Sequence, residues 1–145
     1  MRIAISILVP MLVATIFPPQ VLAEEPYHVD DIQFFTGYEK PGIAPLDSRD
    51  FIKALVTIIY DIEQEYKRQW TKTPSLCGEV VVSFIIGGEG VVYDVYIKSS
   101  QLESQSLEQE IITKFGQLSF YNTPTEKVHV LVPLKFEGGT VAIAR

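Results

Sequence analysis

The residues able to do chemistry in this chain are few: two histidines, one cysteine and a handful of neighbouring carboxylates. Nucleophilic catalysis needs a hydroxyl or thiol beside a base, and a third group that orients the base. His28 and His129 have no such neighbours at a recognised spacing, and no G-x-S-x-G turn occurs. Two His and one Cys are too few for a structural zinc set, and Cys77 has no second cysteine to bond within the chain. Asp30-Asp31, and Glu108 with Glu110, are the kind of carboxylate pair that glycoside hydrolysis uses. The first pair points to opposite sides if extended, and the second falls on the exposed face of an expected helix. Gly87-Gly88-Glu89-Gly90 is glycine-rich, but a phosphate cradle opens a helix and these residues open a strand. They read as a hairpin turn. The expectation is a non-enzymatic chain with no cofactor and no metal; a small exported enzyme, its site assembled only in three dimensions, is the remote alternative.

Composition narrows the class further. The chain has 145 residues, 47% hydrophobic and 21% charged, a balance too apolar for a disordered polymer and a length suited to one domain. With 18 acidic against 12 basic side chains the net charge is −6, which disfavours nucleic acid as a partner. Residues 1–23 stand apart: Arg2 is their only charge, Ile3 to Phe17 is apolar, and Val21-Leu22-Ala23 supplies small residues at a cleavage site. That arrangement predicts a secretory signal peptide, because an apolar run of about 15 residues is short for a bilayer. A periplasmic or secreted chain is expected after cleavage; an inner-membrane anchor is the alternative if residues 3–17 are retained. Export leaves Cys77 unpaired in an oxidising compartment, and a buried thiol is expected there, since free cysteines are among the most buried side chains.

The elements that must position any site follow from periodicity. Residues 24–46 read as an irregular acidic and aromatic arm, with one short extended piece around Asp31–Phe35. Phe34, Phe35 and Tyr38 either meet a partner or fold back over the domain. From Asp47 or Ser48, apolar residues at 51, 54, 55, 58, 59, 62 and 66 draw the stripe of a helix ending near Trp70. Val80, Val82, Phe84 and Ile86 alternate as in a strand, and Val91, Tyr93, Val95 and Ile97 repeat the pattern. A second helix starts at Ser104 or Ser106 and buries Leu107, Ile111, Phe115 and Leu118. Val128, Val130, Val132, Leu134 and Phe136 form the last strand, and residues 138–145 are left as a tail. The fold class expected is α+β: a three-stranded antiparallel sheet with two helices on one face, over residues 47–137.

Pro133 carries the first functional expectation. It has no N–H for a ladder bond, so the last strand is expected at the sheet edge. Lys127, His129 and Leu131 then form a free pairing edge, with Pro133 and Lys135 beyond them. An extended peptide adds a strand there, or else the proline and lysines keep other strands away. Val81, Ile85 and Tyr96 are expected as an apolar patch on the outer sheet face.

These residues resemble a known family. Pro74, Leu76, Gly78, Val80, Val82, Phe84, Ile86, Gly90 and Val92 are followed by Ser99-Ser100, Leu102, Leu107-Glu108, Ile111, Phe120, Val130, Pro133 and Phe136. Over residues 50–137 the pattern resembles the TonB C-terminal domain superfamily, and at the helix–strand junction the AgmX/PglI-type domain. The paired cysteines often found in the helices of that type are absent, with Ile59 and Glu110 in their neighbourhoods. The resemblance implies an envelope protein without an active site that binds another protein, often by added strand pairing, with a link to transport or energy transduction. A self-associating structural unit, which includes a homodimer, is the alternative function.

Overall fold

A computed structural model describes residues 32–36, 40–41, 48–120 and 127–144. The expected signal peptide, most of the arm including His28, Asp30, Asp31 and Tyr38, and residues 121–126 lie outside the described residues. Among the described residues two helices and six antiparallel strands form an α+β fold. The strands are β1 (Gln33–Thr36), β2 (Lys40–Pro41), β3 (Gly78–Ile86), β4 (Val92–Ser100), β5 (Val128–Glu137) and β6 (Thr140–Ile143); the helices are α1 (Ser48–Lys72) and α2 (Gln105–Gly116).

The sheet runs β2-β1-β5-β3-β4, with β6 also on β5. The three-strand expectation therefore undercounts, and in an instructive way. The extended piece at the end of the arm is β1, which pairs Gln33–Thr36 with Leu131–Val128. Ile32 and Phe34 enter the core, and the Phe34 ring meets Phe51 edge-on with centroids 5.2 Å apart. This part of the arm folds back because leaving such rings in water is costly. The expected tail forms β6 through a turn at Gly138-Gly139, whose φ angles of 58° and 82° suit a two-residue hairpin. A Cβ at Gly139 would also stand 3.2 Å from the Trp70 ring.

The helix stripe of α1 is buried as expected: Phe51, Leu55, Ile59, Ile62 and Tyr66 are essentially inaccessible. Ser104 caps α2, its hydroxyl accepting the N–H of Leu107 at 3.2 Å; this settles the choice between Ser104 and Ser106. Both helices pack on the face made by Val80, Val82, Phe84 and Ile86 of β3 and Val128, Val130, Val132, Leu134 and Phe136 of β5. Rings fill that layer, with Tyr66 against Phe136 at 5.1 Å and Phe84 against Phe115 at 5.7 Å.

Two expectations about strands are corrected. Strict alternation along 91–97 fails, because a bulge intervenes at Asp94, whose φ of 53° is left-handed. Val92 faces the helices and Tyr93 faces out; beyond the bulge Val95 and Ile97 face the helices again, and Val91 is left 54% exposed. The larger correction concerns β5. It is not an edge: β3 flanks its whole length, and β1 and β6 share the other flank, at 128–131 and 134–137. Pro133 falls between those two short strands, where its carbonyl accepts the Ala144 N–H at 2.8 Å.

Candidate functional site

The expected pairing edge does not exist in this fold. Lys127 precedes β5, while His129 and Leu131 already pair with Phe35 and Gln33 of β1, so the backbone row that an incoming peptide would need is taken. Lys135 pairs with Ala142 of β6, and its Nζ lies 3.0 Å from Glu137. What the structure does bring together is the other half of the expectation, the outer sheet face. Cross-strand partners share a face, so the registers define its rows. One row runs Phe35, His129, Ile85, Tyr93 across β1, β5, β3 and β4. The next runs Gln33, Leu131, Ser83, Tyr96, and a third holds Pro133, Val81 and Ser99.

All the residues expected on this face are there: Val81, Ile85 and Tyr96. Sequence reasoning missed Tyr93, because the bulge at Asp94 that turns it outward has no signature beyond an Asp tolerant of positive φ. Phe35, expected either to meet a partner or to fold back, joins this face through β1, its ring centroid 6.0 Å from that of His129. Among the described residues no helix packs on this face. Tyr96 is 48% exposed, Val81, Ile85, Tyr93 and Pro133 are half-buried, and Leu131, 7% exposed, is buried apart from the main core. The Tyr93 hydroxyl is sealed from solvent with no hydrogen-bond partner among the described residues, and Lys127 Nζ lies 5.6 Å from the centre of its ring.

Among the described residues, one arrangement of catalytic residue types also lies on this face. Ser83 Oγ and His129 Nε2 are 2.5 Å apart, joining residues 46 apart in sequence that no local motif connects. Ser83 is fully buried, and among the described residues nothing hydrogen-bonds the other imidazole nitrogen to orient it as a base. A nucleophile needs an open path to its substrate and an oriented base. The pair reads as a buried hydroxyl that the histidine satisfies, which avoids a penalty of about 1–3 kcal/mol.

Cys77 contradicts its expectation: it is exposed, just ahead of β3. A cleft of about 290 Å³ beside it is lined by Thr73, Ser75, Leu76, Gln101 and Glu103. No group adjoining it is an oriented base. The charges on the helix side answer one another: Glu65 takes a bond from Arg68 Nη2 at 2.5 Å and one from Gln69 at 2.9 Å. The Arg68 bond, then the Gln69 bond, hold the Glu65 carboxyl below the usual carboxylate range. Among the described residues no three metal-ligating side chains gather, and no helix is long and apolar enough to cross a membrane. No protein-family model, curated protein or solved structure matches the chain.

Proposed function

We propose that this chain is an exported, non-enzymatic protein-binding module that receives its partner on the outer face of the sheet. The observation that carries the reading is the composition of that face. Val81, Ile85, Tyr93, Tyr96 and Pro133 lie across three strands around the buried Leu131, opposite the face that the helices fill. A sheet face made for water alternates polar residues there instead, and a contiguous apolar patch on a small protein marks an interaction surface. The partner that fits is a protein presenting an apolar surface, since aromatic and apolar side chains dominate the centres of such interfaces.

Export rests on the leader-like composition of residues 1–23, and an envelope partner linked to transport rests on the resemblance to TonB C-terminal domains. Strand addition along Lys127–Leu131 drops out of the proposal, because β1 lies there. Site-specific photocross-linking in the producing cell tests the reading. A reactive side chain at Tyr96 is expected to trap a discrete protein other than a second copy of this chain, whereas one at Tyr60, 62% exposed on α1, is not. Equal trapping at the two positions, or none at Tyr96, would contradict it.

A further inference from the structure

We infer that the free edge of β4 is a self-recognition site, at which a second copy of this chain pairs antiparallel across a twofold axis through Tyr96. This rests on edge backbone and edge charges, independently of what binds the outer face.

The free groups follow from the register. The Glu79 carbonyl accepts the Gln101 N–H at 2.9 Å, so the odd-numbered residues of β3 direct their backbone groups to β4. Ser83 and Tyr96 are opposed and exchange bonds in such a pair. Val95 and Ile97 therefore turn their N–H and C=O groups away from β3, and among the described residues β4 ends the order of strands on that side. The open window is short. At one end Val91 bridges to Ser119 and the Gly90 carbonyl takes the Phe120 N–H. Irregularities in the β3 register at Asp94 and Lys98 bound the middle. Such bulges discourage indiscriminate edge pairing; here they leave one regular stretch, Val95 to Ile97.

A second copy fits that stretch in one register. With Tyr96 opposite Tyr96 of the second copy, Val95 faces Ile97 twice, and those are the residues whose backbone groups are free. The same axis brings Asp94, at one end of that stretch, near Lys98 at the other end, also twice. Both side chains are exposed, and neither joins an ion pair among the described residues. Shifting the axis to Val95 or Ile97 loses both charge pairs. A self-complementary pattern of opposite charges about a twofold axis is what an isologous interface requires, and it selects a second copy over an arbitrary extended peptide. A pairing this short buries far less than the ~1,200–2,000 Å² of a stable complex, so the association is weak and reversible. It also places the two outer faces side by side.

Sedimentation velocity of the purified full chain over a dilution series tests the assignment. The wild type is expected to shift from dimer to monomer on dilution. Lys98→Asp sets Asp against Asp at both contacts, and Asp94→Lys sets Lys against Lys; each alone is expected to weaken self-association by about tenfold or more. An equimolar mixture of the two variants restores both opposite-charge pairs and is expected to form a heterodimer at wild-type strength. Circular dichroism confirms that each variant is folded. A wild type that stays monomeric at every concentration would overturn the proposal, as would a Lys98→Asp constant equal to the wild type or a mixture no stronger than its components.

Discussion

The Ala144 N–H donates to the Pro133 carbonyl at 2.8 Å, and the proline nitrogen returns nothing. This relationship explains how a proline sits in the middle of a sheet. β5 needs a full ladder on its β3 side, where Val132 pairs with Val82. On the other side β1 stops at Leu131 and β6 starts at Leu134, and the missing donor falls at their junction. Substitution one residue apart should then have opposite consequences. Pro133→Ala is expected to change stability by less than about 1 kcal/mol, the gained bond offsetting the freer unfolded chain. Val132→Pro removes a donor that faces β3 and is expected to prevent folding. Urea unfolding of both variants checks this; a tolerated Val132→Pro would mean that β5 is not central.

Ser83 and His129 make a second pair of predictions. If the histidine satisfies a buried hydroxyl, His129→Ala strands that hydroxyl and should cost about 1–3 kcal/mol. Ser83→Ala leaves the half-buried imidazole within reach of water and should cost less, about 1 kcal/mol. Chemical denaturation measures both, and the reverse order would contradict the assignment.

Much of this architecture was legible in the sequence because periodicity reports which side of an element is dry. Phe51 to Tyr66, Val80 to Ile86 and Val128 to Phe136 all bury the residues that their spacing selects. What escaped was relational. Pro133 forbids one backbone bond, but whether that means an edge or a junction depends on β1, about 100 residues upstream, and on β6. Thr140–Ile143 is only four residues long, too short for a periodic signal, although Gly138-Gly139 followed by alternating Val141 and Ile143 has the form of a hairpin return. The face of Tyr93 was hidden by a bulge. The Ser83–His129 contact exists only once β3 and β5 are in register.

Tyr66 couples stability to alkaline pH. Its phenol is inaccessible and donates to the Leu76 carbonyl at 2.6 Å, and burial pushes its pKa above the ordinary value near 10. A raised folded-state pKa gives stability that is complete below the unfolded value and is lost as pH rises through the folded one. Unfolding free energies between pH 8 and roughly pH 12 should therefore fall more steeply for the wild type than for Tyr66→Phe. At neutral pH the Phe variant should be about 1 kcal/mol less stable, for want of the bond to Leu76. Parallel curves would show that Tyr66 does not carry the effect.

Glu63 binds the newest part of the sheet to the first helix. One carboxylate oxygen accepts the outward Val141 N–H at 2.9 Å, and the other meets Lys67 at 3.0 Å. Glu63→Ala is expected to speed hydrogen exchange at Val141 and to cost about 1–2 kcal/mol. Unchanged exchange at that amide would contradict the contact with Glu63.

The central claim is that the face opposite the helices receives a protein, and the mass of the native complex in extracts of the producing cell tests it most directly. Val81 and Ile85 are half-buried there, so Val81→Glu with Ile85→Glu should abolish binding while circular dichroism shows the fold intact. The wild type is expected to migrate in an assembly larger than a dimer of this chain, and the double variant is not. Identical migration of the two folded proteins would contradict it.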